Sequence, residues 1–96
     1  MNIDFDFFTL DNGLKVILHL DVNSNIVTTN ILYNVGSRDE DPDYTGLAHF
    51  FEHLMFSGTK KHSNFDSFLE KVGAQNNAFT SSDITNYYIT IPSNNL

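Results

Sequence analysis

His49, Glu52 and His53 fall at i, i+3 and i+4 within the stretch "GLAHFFEHLMFSGTKKHS", and on a helix that spacing gathers all three side chains onto one patch of surface. Two imidazoles one turn apart can grip a single zinc ion, with each nitrogen about 2.0–2.1 Å from the metal. A catalytic zinc ordinarily takes three protein ligands and leaves its fourth position to water. Zinc lowers the pKa of such a water to about 7. Glu52, beside that water, would serve as the general base that removes its proton as hydroxide attacks a polarised peptide carbonyl. On spacing alone a second explanation stands beside this one: an amphipathic helix whose polar stripe faces solvent.

The order His-x-x-Glu-His inverts the commoner His-Glu-x-x-His while keeping the same helical face, and both orders are zinc-peptidase motifs. Composition narrows what else can hold a metal. The chain has no cysteine, so ligands must come from four histidines and twelve carboxylates. His19, between Leu18 and Leu20 in an expected strand, reads as solvent-facing, and His62, in "TKKHSN", reads as a surface loop residue. Asp39, Glu40, Asp41 and Asp43 lack the ligand spacing and central glycine of a calcium loop and read as a solvated turn. A formal net charge of −7 argues against nucleic-acid or anionic-membrane partners, which would meet like charge.

The elements that must position these groups follow from periodicity. "FFTL" and "LKVILHL" flank "DNG", where Asn12-Gly13 supplies the positive φ values of a tight hairpin turn. "IVTTNILYNV" places Val27, Thr29, Ile31, Tyr33 and Val35 on one face at period two, a third strand. A helix is expected from an N-cap at Thr45 to about Phe56, with Asp43 near its positive end and Phe50, Phe51, Leu54 and Met55 packed into the core. A second helix begins at Ser63, which has capping-box spacing to Asp66, and ends at Gly73. "NAFTS" and "TNYYITI" give two further strands. The order βββααββ predicts an α+β fold, a mostly antiparallel sheet packed against helices.

Beyond the five-residue motif, "TLDNGLKVIL", "VGSRDE", "GLAHFFEHLMFSGTKKHS" and "NNAFTSSDITNYY" resemble, in order and over nearly the whole chain, successive blocks of the pitrilysin/insulinase metallopeptidases, which include the mitochondrial processing peptidases. The resemblance implies the metallohydrolase fold of those enzymes and a zinc metalloendopeptidase activity with one Zn2+ per active site. It implies His49 and His53 as zinc ligands and Glu52 as general base. It also implies that Asn77, Ala78 and Phe79, in the "NAFT" strand, bind substrate, and an exposed strand edge is physically suited to an extended peptide. The partner so implied is a peptide or unfolded polypeptide.

In that family the third zinc ligand is a glutamate far beyond the second histidine, and a second homologous half closes over substrate. We therefore expect these 96 residues to be the N-terminal portion of a peptidase domain. The rest of the site would come from a missing C-terminal half or a partner subunit, and the piece by itself would be inactive and self-associating. The alternative is a metal-binding or assembly module with no catalytic activity of its own. "MNIDFDFFTL" has no basic leader region and no run of about eighteen apolar residues occurs, so a soluble chain is expected, with its compartment, cytoplasmic or periplasmic, left open.

Overall fold

The computed structural model describes residues 2–96. Five strands and two helices follow the expected order: β1 (Asp6–Thr9), β2 (Lys15–Leu18), β3 (Ile26–Tyr33), α1 (Leu47–Phe56), α2 (Phe65–Lys71), β4 (Gln75–Thr80) and β5 (Thr85–Pro92). Short 3-10 turns at Ser37–Asp39, Pro42–Tyr44 and Ser93–Asn95 complete the path. The α+β class and antiparallel pairing hold, but the strands form two sheets. β1 and β2 pair only with each other, while the site is carried by a three-stranded sheet in the order β3-β5-β4.

The hairpin turn differs in detail from expectation. Only Gly13 takes a positive φ, +87°; Asn12 instead uses its side-chain oxygen to accept the Leu14 N–H at 3.0 Å. With Gly13 N–H donating to Leu10 C=O at 2.9 Å and Leu10 N–H to Leu14 C=O at 2.8 Å, the connection is a three-residue loop ending in a left-handed glycine, a standard way to join two strands.

The three-stranded sheet has two distinct faces. Ala78, Tyr87 and Ile31 stand opposite one another across the three strands, as do Thr80, Thr85 and Tyr33, and this face receives α1 and α2. On the other face Asn30 and Asn86 exchange a reciprocal pair of amide hydrogen bonds, 2.9 and 2.8 Å, and Thr28 meets Thr90 at 3.1 Å. The link from β3 to α1 is pinned to the turn between β4 and β5. Ser37 and Arg38 N–H groups donate to the Ser81 and Ser82 carbonyls, and Arg38 pairs with Asp83 at 2.8 Å. Gly36 permits this approach, since a Cβ there would lie 2.4 Å from the Ser81 carbonyl oxygen.

Both helix starts are shifted from their expected caps. α1 is preceded by Gly46 rather than capped by Thr45, and the anion at its positive end is Glu40, not Asp43. The Glu40 carboxylate accepts the Gly46 and Ala48 N–H groups at 2.7 and 2.8 Å, whereas the Asp43 N–H is held by Asp41. The longer reach of Glu40, across the turn, wins over the nearer aspartate. α2 is capped by Asn64, whose side chain accepts the Ser67 N–H at 3.1 Å, in place of Ser63.

The core is the largest departure. Leu69 is the buried large hydrophobic residue among those described, whereas Phe50, Phe51, Leu54 and Met55 are 41–60% exposed. α1 turns Ala48, Glu52 and Phe56 toward the sheet, at i, i+4 and i+8, and its apolar residues lie on the remaining sides. The accessible surface, 8163 Å², compares with about 5,600 Å² for an ordinary monomer of this mass. Exposed apolar side chains such as Phe7, Ile17, Ile31, Phe51 and Phe68 contribute to that excess. No helix among the described residues is long and apolar enough to cross a membrane.

Candidate metal centre

α1 brings His49, Glu52 and His53 together as the spacing requires. The Nε2 atoms of His49 and His53 lie 2.9 Å apart, with ring centroids separated by 4.6 Å and the planes tilted by 46°. Two imidazole nitrogens on one tetrahedral zinc would be separated by about 3.3 Å, given bonds of about 2.0–2.1 Å. The two rings therefore converge nearly as a shared metal demands, from exposed positions that leave room for it. One ligand atom from each of His49, Glu52 and His53 falls within 4.8 Å of the other two. The donor set of neutral nitrogen and carboxylate oxygen fits zinc.

Glu52 differs from its neighbours in being buried, at 8% exposure. It faces the sheet, where the Thr80 hydroxyl of β4 donates a hydrogen bond to its carboxylate. A buried carboxylate without a partner would be costly, and Thr80 supplies that partner while fixing the side chain's direction. Tyr87 of β5 stands next to this pair. Its phenol is raised above its ordinary value near 10, first by burial, then by the Glu52 charge and then by Tyr33. Tyr87 also meets Tyr33 edge-on, centroids 5.9 Å apart, and Phe56 at 6.5 Å.

Asn77, Ala78 and Phe79 sit on β4, and β4 is an edge of its sheet. Asn77 and Phe79 point away from the helices and are exposed, while Ala78 shares the helix-facing side with Thr80 and is half-buried. The strand that carries these three residues thus ends at the Glu52 contact. Thr80 and Tyr87 escape a motif-based reading. Period two places Thr80 on the face of Ala78, but only the packing of α1 against β4 shows which side chain it meets. His19 and His62 lie outside the cluster, both exposed; His19 Nδ1 contacts the Asp4 carbonyl at 2.6 Å.

A groove of about 730 Å³ lies elsewhere, between the end of α1, α2 and the helix-facing side of β3 and β5. Phe56, Phe68, Tyr87 and Ile89 line it, and His49, Glu52 and His53 do not. Its apolar lining marks unfilled packing space rather than the chemistry.

Comparison with known proteins places the chain in a family. The family pattern described as insulinase (peptidase family M16) matches residues 15–96. The zinc protease PqqE of Helicobacter pylori is 42% identical over 91 residues, covering 92% of this chain and 20% of the relative. Human insulin-degrading enzyme is 38% identical over 85 residues, covering 85% of this chain and 8% of that protein. Among solved structures, a protease from Helicobacter pylori superposes with a TM-score of 0.87 at 36% identity, over 98% of this chain and 23% of the other. Pitrilysin superposes with a TM-score of 0.85 at 31% identity, over 100% of this chain and 11% of the other. The chain therefore spans about a fifth or less of the length of such curated relatives.

Proposed function

Since the chain belongs to the insulinase family of peptidases, family M16, we propose that it carries the metal-binding helix and the substrate-pairing strand of a zinc-dependent endopeptidase. The observation that supports this most is the convergence of the two imidazole nitrogens beside a buried glutamate that is tied to an edge strand. His49 and His53 would hold the zinc. When bound, zinc supplies a Lewis acid that acidifies water and polarises a carbonyl.

The chain's own residues account for the remaining work. Glu52 accepts a proton from the attacking water at its carboxylate and returns it to the leaving amine, a general base that then acts as general acid. Thr80, hydrogen-bonded to that carboxylate, keeps it from rotating away. The free edge of β4 offers backbone N–H and C=O groups to an extended peptide, so the strand that carries Asn77, Ala78 and Phe79 holds the substrate by its main chain, with Ala78 at the centre. Recognition of this kind reads extension more than sequence, which points to unfolded polypeptides or short peptides as substrates.

In this proposal the 96 residues are the N-terminal portion of a peptidase domain, and the remainder of the polypeptide or a partner subunit supplies the third ligand. That remainder would also cover the exposed apolar side of α1. The second possibility, a metal-binding or assembly module without catalysis, draws its support from that same exposed surface. Calorimetric zinc titration of the chain, beside His49→Ala and His53→Ala, tests the metal assignment. Binding should be weak in the wild type and lost in each variant. Undiminished binding after both substitutions would place the metal elsewhere.

A further inference from the structure

The outer edge of β4 is not as open as its position in the sheet implies. The Ser81 N–H donates to the Ile84 carbonyl at 2.9 Å, which makes Ser81 and Ile84 a bonded pair at the turn. Bonded and non-bonded pairs alternate along an antiparallel ladder. In the register of β4 with β5, Phe79 with Asn86 and Asn77 with Tyr88 are then the bonded pairs. The N–H and C=O groups of Asn76, Ala78 and Thr80 accordingly project from the free side. The middle donor of these, the Ala78 N–H, is already taken: the Asn77 side-chain oxygen accepts it at 2.8 Å.

From this geometry we propose that the Asn77 carboxamide is a latch on the β4 edge, holding the Ala78 N–H until the carbonyl of an extended peptide displaces it. The physical case has two parts. An unpaired donor in the middle of an exposed edge invites strand addition by any chain, and a side chain bonded to it removes that donor from casual pairing. The bond is local, between adjacent residues on an exposed strand, so it breaks at little cost. An incoming chain that already presents several carbonyls and amides in register regains the lost bond and adds others, whereas a single stray carbonyl only exchanges one bond for another. The latch therefore raises the threshold for peptides that are not extended. The inference rests on the proposal that β4 receives substrate.

The test follows the Ala78 and Thr80 amides by NMR while the chain is titrated with a short blocked peptide of alternating valine and threonine. The same peptide N-methylated at every amide, which has no N–H left to donate from either edge, is the control. Asn77→Ala should bind the peptide about fivefold more tightly than wild type, the factor that corresponds to one net hydrogen bond of about 1 kcal/mol. Its free Ala78 amide should exchange faster with water. Asn77→Asp, which keeps the acceptor, should stay near wild type on both measures. A gain in affinity cannot come from a loosened fold, so it separates a latch from a structural asparagine. Binding that Asn77→Ala leaves equal or weaker, or that Asn77→Asp also tightens, overturns the latch while strand addition stands. No binding of the unmethylated peptide by either protein overturns strand addition and the latch with it.

Discussion

The Thr80 hydroxyl donates a hydrogen bond to the Glu52 carboxylate across 28 positions of sequence, and this contact ties the helix that carries His49 and His53 to an edge strand of the sheet. It is also the polar centre of the α1–sheet contact, where an apolar stripe would ordinarily be expected. Thr80→Val keeps the shape and removes the donor. The expected cost is about 1–3 kcal/mol, the usual penalty for a buried charged acceptor that loses its partner, read as a lower urea midpoint. Thr80→Ser should remain close to wild type. A valine variant as stable as wild type would show that Glu52 finds another partner.

Why the element order was legible and the packing was not can be argued from the same residues. Periodicity is a local property, so the period-two run from Val27 to Tyr33 and the His49, Glu52, His53 patch were readable without knowing what they face. Caps are decided by competition among neighbours only a few residues apart, which is why Asn64 replaced Ser63 and Glu40 replaced Asp43. The direction in which α1 packs depends on β4, far along the chain. Phe50, Phe51, Leu54 and Met55 mark an apolar side correctly, but the sheet lies under Glu52 instead. Thr80 was invisible for the same reason: nothing in "NAFT" names its partner.

Glu52→Gln separates holding the metal from using it. The amide keeps the size of the side chain and both imidazoles remain, but it cannot accept the water's proton. In the whole protein the variant should retain zinc and lose peptidase activity by roughly 10²-fold or more, the span ordinarily assigned to general-base catalysis. Zinc content by mass spectrometry, measured on the samples used for a quenched-peptide assay, decides the matter. Near-normal turnover with zinc in place would remove Glu52 from the reaction.

Tyr87 gives the site a signature at high pH. Its phenol is raised by burial, then by the Glu52 charge and by Tyr33, so the folded chain holds that proton more tightly than the unfolded one. Below about pH 10 both states are protonated and the contribution is fully present. Above it the unfolded chain ionises first, and stability falls until the folded phenol also ionises. Tyr87→Phe should flatten this alkaline decline, as measured by urea unfolding at a series of pH values. Glu52→Gln should lower the phenol's titration midpoint without restoring the ordinary value, because burial remains. An unchanged alkaline decline in Tyr87→Phe would assign it to other groups.

The uncovered apolar surface predicts how the isolated chain behaves. Phe50, Phe51 and Met55 on α1 are each more than half exposed, and β3 and β4 are both sheet edges. Together they present the two kinds of surface that drive association in water: a contiguous apolar patch and unpaired strand edges. The chain should therefore form dimers or larger species as its concentration rises, detected by light scattering. Two substitutions distinguish the routes. Phe51→Lys with Met55→Lys places charge on the helix face without touching His49, Glu52 or His53, and should shift the population toward monomer if that face is the contact. A strand-edge route would be indifferent to these lysines and would instead respond to proline substitution at Ala78, whose N–H projects from the free side of β4. A chain that stays monomeric at high concentration and unfolds cooperatively would show that the 8163 Å² surface is stable in water without a partner, and that no covering half is needed to hold this arrangement of His49, Glu52 and His53.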